Sequence, residues 1–408
     1  MNYKRYIVIV VAAMLAVGAW AQNATSSPSS RFGYGELNDN LPTAYRAMGG
    51  VGLGMRSNKA INPAQPASYT ACDSMTFMFD IAGSFLYTNY GDSYGQRNRM
   101  NGNLEYVTLQ MPLWRQHIAL SAGVTPYSAV GYNFSLSDSI NSDYHYTHTY
   151  SGEGGFTQVY GGLSFNICNW VALGVNAYYM FGEITKHRSQ TFSETSAKGA
   201  SQTDILSISS LRLRYGAQLF HTFGKHKVVL GGVFENKQRF SKSHFQQIET
   251  TTNDTISTMD NAFEMPMMYG VGVSYTYDHR LTIAMDYQCQ DWSKTLYSNK
   301  EDHALRARER WMLGVEYRHN AMSRNYAERM CWRLGANYAT SYAMMTDVPE
   351  IGVSMGMGFP LRTIGTVINT TFEYVHRGAI SGGTLSENSL RFVLSAAISE
   401  NWFFKRKL

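Results

Sequence analysis

Fourteen stretches of this chain alternate apolar and polar residues with a period of two, and the links between them alternate in length. This double alternation constrains the fold more than any other feature. In 76–87, Phe77, Phe79, Ile81, Gly83, Phe85 and Tyr87 share one face, and Thr76, Met78, Asp80, Ala82, Ser84 and Leu86 share the other. In 171–182, Val171, Leu173, Val175, Ala177, Tyr179 and Phe181 oppose Ala172, Gly174, Asn176, Tyr178, Met180 and Gly182. The same pattern recurs in 281–288 and again in 391–398. Period two is the signature of a strand with two different environments on its faces. The segments lie near 75–90, 101–113, 117–132, 155–167, 169–184, 205–221, 226–240, 264–278, 280–292, 306–318, 329–340, 349–359, 364–377 and 388–399.

Short links at 114–117 ("WRQH"), 168–169 ("CN"), 222–227 ("TFGKHK"), 278–280 ("DHR") and 360–363 ("PLRT") alternate with long polar ones. The long ones are 91–100, 133–154, 185–204, 241–262 and 293–305, and the alternation weakens at 319–328. Long loops on one side and tight turns on the other describe an all-β, up-and-down antiparallel transmembrane β-barrel. Inside a bilayer the backbone can only pair with itself, so the sheet closes. An even strand count puts both ends of the wall on the short-turn side. A soluble sandwich or β-solenoid is the competing architecture. It fits less well because aromatic residues, 13% of the chain, gather near segment ends as interface girdles do.

The first residues read as a targeting signal. Lys4 and Arg5 precede an apolar run, 6–18, that is too short to span as a helix. Ala19-Trp20-Ala21 fits the small-x-small cleavage rule, giving a signal peptide of 1–21 rather than an anchor. No later run reaches the roughly 18 apolar residues of a transmembrane helix. The net charge of +5 includes Lys4 and Arg5 and forms no basic patch, so nucleic acid is not implied. Cys72, Cys168, Cys289 and Cys331 are far apart. In an exported chain they are compatible with disulfides or with isolated thiols.

The faces turned from lipid carry Asp80, Arg212, Arg214, Asp286, Glu316, Arg333, Glu373 and Arg391. Scattered charges of both signs are expected to pair with one another and fill a polar lumen, not to form a selective ring. About fourteen strands enclose more space than wall side chains fill. Residues 22–72 precede the wall (73–408) and lack clean alternation. Gly49, Gly50, Gly52 and Gly54 permit close backbone packing, and Pro63 and Pro66 keep the segment from adding a strand to the wall. The expectation is an N-terminal plug, or hatch.

The stretch "RAMGGVGLGMRSNKAINPAQPASY" resembles the hatch of the FadL/TodX family of outer-membrane hydrophobe transporters, with the family's Asn-Pro-Ala at Asn62, Pro63 and Ala64. "GVTPYSAVGY" (123–132), "SGEGGFTQVYGGLSF" (151–165), "AMDYQCQDWS" (284–293) and the closing "NWFFKRKL" (401–408) are similar to segments of Bacteroidota-type members. The resemblance implies a 14-stranded barrel with a hatch in the outer membrane. It also implies passive uptake of long-chain fatty acids or similar apolar compounds. Ligand would leave sideways through a gap at a kinked third strand. Pro126, with Tyr127 and Ser128, is the kink candidate, because proline cannot donate to the ladder. The resemblance locates no ligand-binding residues here. Some members of related subgroups support protein secretion instead.

Other chemistries find little footing. There is no nucleophile elbow, so an enzyme is not expected. His145 and His148 in "DYHYTHTY" (143–150) are two histidines on an expected loop, a weak metal signal. "GGVGLG" lacks the strand–helix context of a dinucleotide site. No cofactor or metal is expected, and the partners are outer-membrane lipid and a hydrophobic ligand around a monomer. A structural or secretion-associated barrel binding a protein partner, and a general porin, are the alternatives; a plugged lumen argues against the porin.

Overall fold

A computed structural model describes residues 25, 27–39, 41–92, 95–141, 144–192, 199–240, 244–250, 253–259, 263–297, 300–301, 305–343, 349–361, 365–378 and 386–401. The expected signal peptide, 1–21, and nearly all of the closing "NWFFKRKL" lie outside the described residues.

Fourteen strands form the wall. They are β1 (Thr76–Asp92), β2 (Gly95–Trp114), β3 (Ile118–Asn141), β4 (Tyr144–Cys168), β5 (Val171–Phe192), β6 (Ala200–Phe223) and β7 (His226–Glu235). The second half is β8 (Met268–Tyr277), β9 (Leu281–Gln290), β10 (Arg308–Tyr317), β11 (Cys331–Ala339), β12 (Glu350–Pro360), β13 (Val367–Arg377) and β14 (Ser386–Asn401). Each pairs antiparallel with its chain neighbours, and β1 pairs with β14 from Thr76↔Asn401 to Gly91↔Ser386, which closes the barrel. Every segment expected from alternation holds one wall strand.

The pleat does what the pattern implies. On β5, Leu173, Tyr179 and Phe181 are exposed while Ala172, Asn176, Tyr178 and Met180 are buried. Exposed Trp114, Trp170, Phe223 and Tyr277 sit in or beside the short turns, and Tyr317 and Trp332 flank the β10–β11 link at the same end of the wall, as one aromatic girdle. One of those turns needs left-handed backbone at two successive residues: Asp278 (φ 51°) and His279 (φ 55°) are the central pair of the β8–β9 turn, closed by the Arg280 N–H donating to the Tyr277 carbonyl at 2.9 Å, and their positive φ matches the strand twist. The longer β10–β11 link holds a short helix, α1 (Tyr326–Arg329), begun by Asn325, whose side chain accepts from the Ala327 N–H at 3.2 Å.

The expected long loops are corrected. Most of 91–100, 133–154 and 185–204 is strand, so β3 to β6 are 24, 25, 22 and 24 residues long, against 10 for β8 and β9. Within 241–262, His244–Thr250 and Asn253–Met259 form a hairpin that adds to the start of β6. "DYHYTHTY" therefore lies mainly on β4. Beyond the bilayer both faces of a strand are wetted, so the apolar alternation fades while the ladder continues. Cross-strand hydroxyl pairs such as Ser135–Thr149 (3.1 Å) and Ser137–Thr147 (3.0 Å) mark this region. The wall is thus tall on one flank and low on the other. None of the four cysteines is in a disulfide.

Candidate functional site

The inner faces of the strands are buried against residues 27–72, not against water. The glycine-rich stretch is held by a wall carboxylate. Asp286 on β9 accepts from the backbone N–H groups of Gly52 (2.6 Å), Leu53 (2.6 Å) and Gly54 (3.3 Å). Three N–H groups on one buried carboxylate satisfy its charge without a cation. The Gly49 N–H donates to Ser354 Oγ at 2.8 Å, and a Cβ at Gly49 (φ +73°) would lie 2.5 Å from the Ala336 carbonyl oxygen. Asn62 Nδ2 donates to the Gly52 carbonyl (2.7 Å), closing the loop on itself. Asn176 Nδ2 (2.9 Å) and the Tyr178 hydroxyl (2.8 Å) donate to the Pro63 carbonyl, and Arg214 reaches the Ala64 carbonyl at 3.3 Å. The residues expected in the hatch therefore all lie inside the wall.

Most of the inward charges pair, some with one another and some with partners that the sequence does not flag. Glu235 lies 3.0 Å from Arg212 and is also bonded to Arg214. Arg333 meets Glu316 at 2.7 Å. Arg46 bridges Glu105 (3.1 Å) and Glu373 (3.5 Å), and Glu373 also faces Arg391 at 3.9 Å. Arg310 holds Asp39 at 2.6 Å. Arg377 binds Glu36, Glu350 (3.0 Å) and Glu387 (3.2 Å). Asp80 accepts from the Tyr106 hydroxyl at 3.1 Å. Several of these bonds tie residues 36–46 to the wall, so the charges anchor the N-terminal segment as well as fill the lumen. At the rim, Glu264 accepts from Lys237 and Arg239. Burial pushes its carboxyl up, but those hydrogen bonds outweigh burial and hold it below the usual carboxylate range.

Among the described residues the wall is interrupted between β2 and β3. Among the described residues the β2–β3 ladder runs from Trp114↔Ile118 to Val107↔Val124 and no further. Above it β2 stays paired with β1 to Gly95, and β3 with β4 to Asn141. A seam thus separates 95–106 from 125–141. Each lip carries an extra residue. Glu105 is unmatched between Ala82↔Tyr106 and Gly83↔Leu104, and Tyr127 between Pro126↔Thr157 and Ser128↔Phe156. Such bulges break pairing and redirect side chains. Part of the β3 lip is covered from inside: Glu36 and Leu37 pair with Ala129 and Ser128, and the Asn38 N–H donates to the Tyr127 carbonyl at 2.8 Å.

Behind the seam, Tyr127 and Val130 join a buried apolar cluster with Tyr34, Phe156, Phe240 and Trp292. A cavity of about 40 Å³ lies between Tyr127, Arg212, Asp286 and the glycine stretch. A larger cavity of about 290 Å³ opens at the mouth, between Arg31 and Phe32 of the N-terminal segment and the tall β3–β6 flank. No metal-ligating cluster occurs among the described residues, and His148 packs instead in a row of rings beside Tyr146 (5.2 Å).

Several solved structures share this architecture. The CymD monoaromatic hydrocarbon channel superposes with a TM-score of 0.60 at 12% identity, over 90% of this chain and 99% of its own. The Ralstonia pickettii toluene transporter TbuX gives 0.59 at 13% identity, over 89% and 98%. A Pseudomonas aeruginosa FadL homologue gives 0.58 at 11% identity, over 90% and 99%. At such identities the likeness is one of fold. No curated protein sequence matches the chain significantly. The FadL/TodX resemblance read from the sequence is therefore matched by shared architecture. The family description that fits the sequence itself, over residues 3–408, is BamG, and the chain belongs to the BamG family.

Proposed function

We propose that this protein passes small hydrophobic molecules, long-chain fatty acids or similar apolar compounds, across the outer membrane by diffusion. In this reading residues 22–72 act as a hatch behind a signal peptide of 1–21, and the seam at Pro126, Tyr127 and Ser128 is the lateral exit. The observation that carries it is the β2–β3 ladder ending at Val107↔Val124. An unpaired edge in hydrocarbon is costly unless it lines a route or is covered. Here part of the β3 lip is covered by two residues of the chain's own N-terminal segment, Glu36 and Leu37. The apolar cluster at Tyr34 and Tyr127 gives the inner end of that route its chemistry. The names of the similar structures, a monoaromatic hydrocarbon channel and a toluene transporter, support the same class.

A second reading has its own observation. The lumen is laced by ion pairs, and the cavity between Tyr127, Arg212 and Asp286 measures about 40 Å³, which suits a barrel that serves as a rigid partner for another protein. Mass spectrometry of the organic extract of the purified protein separates the two. Transport predicts a defined apolar compound near one per chain. Bulk lipid alone, with a stoichiometric polypeptide co-purifying, would favour the scaffold.

A further inference from the structure

The cavity at the mouth carries charge that a route for apolar molecules does not use. It measures about 290 Å³ and is lined by three cations, Arg31, Lys186 and Arg188, against the single carboxylate of Asp204. Lys186 is engaged: its Nζ donates to the carbonyls of Arg31 (2.9 Å) and Gly33 (3.0 Å). Among the described residues the two arginine side chains donate no hydrogen bond. The Arg31 guanidinium stacks 4.0 Å from the centre of the Tyr150 ring, and that of Arg188 lies 5.8 Å from the same ring. Among the described residues neither is paired with a carboxylate, whereas Arg46, Arg212, Arg214, Arg310, Arg333 and Arg377 deeper in the lumen all are. Asp204 accepts from Gln202 at 3.0 Å.

Two guanidinia held against one tyrosine keep their in-plane donors free for a planar anion. The wall beside them is a ladder of rings. Phe134 lies 5.4 Å from Tyr150 and is tilted by 30°, and Tyr132 lies 6.0 Å from Phe134. That ladder sets aromatic rings next to the charge. We propose that the mouth cavity is a binding site for small organic anions that carry a carboxylate or phosphate head on a planar, apolar body. The head would take charge-assisted hydrogen bonds from Arg31 and Arg188, and the body would lie along the rings that line the cavity, Tyr132, Tyr150 and Tyr297. The site binds whether or not its occupant then crosses the seam, so binding and passage fail independently.

Titration of the full-length protein in detergent with 1-naphthoate, 1-naphthyl phosphate and uncharged 1-naphthol tests this, followed by calorimetry. At least one anion is expected to bind ten-fold or more tighter than 1-naphthol. That advantage should fall at least ten-fold in the R31Q/R188Q double variant. Asp204→Asn removes the carboxylate that opposes the anion and should tighten binding several-fold, a gain that misfolding does not produce. Equal affinity for 1-naphthol, an unaffected double variant, or failure of Asp204→Asn to tighten binding would each overturn the assignment.

Discussion

Asp286 shows how much one inward side chain decides. Its two oxygens accept from the N–H groups of Gly52, Leu53 and Gly54. A buried donor left without a partner costs on the order of 1–3 kcal/mol. Asp286→Ala is therefore expected to loosen the glycine stretch and raise the open probability in planar-bilayer recordings, with Asp286→Asn intermediate because one acceptor oxygen survives. Conductance indistinguishable from wild type in Asp286→Ala would remove Asp286 as the anchor. Glu235 is the converse case, one carboxylate between Arg212 and Arg214. Glu235→Gln leaves two buried guanidinia short of charge, and breaking such a set costs roughly 3–5 kcal/mol. The barrel should then convert to its unfolded gel mobility at a clearly lower temperature, and an unchanged midpoint would refute this. Asp286 was legible as inward-facing from Met285 and Tyr287 on either side of it. Its partners, more than two hundred residues upstream, were not.

At the scale of elements, strands were read well and their ends poorly. The alternation in 171–182 is imposed by lipid outside and a packed lumen inside, so it stops where the lipid stops, while β5 runs on to Phe192. The seam was legible only as a proline. Pro126 marks a residue without an N–H, but the sequence does not say that β2 and β3 part company there. Nor does it say that Glu36 and Leu37 fill in beside Ala129 and Ser128. Pro126→Ala returns an N–H to this position. If the seam is an exit, that variant should zip the ladder further and slow the uptake of an apolar probe into intact cells, leaving thermal stability equal or higher. Uptake at the wild-type rate would count against the seam as the route.

At the scale of the molecule, a closed wall wraps an N-terminal segment that touches it from many sides: Thr43 accepts from Thr371, Gly54 from Ser274, Pro63 from Tyr178. Removing 25–72 should leave a barrel that still inserts, because its ladders do not depend on that segment, but one that conducts as a wide, ungated pore. A deletion variant that stays closed would show that the segment is not the barrier. The sequence by itself determined the number of strands and which face of each meets lipid, because these follow from local period. Only the tertiary structure decided which charges meet, where the wall opens, how tall each flank stands, and that Arg31 and Arg188 share one ring at the mouth. Those outcomes depend on register and closure, which bring together residues tens to hundreds of positions apart, and no local pattern encodes such distances.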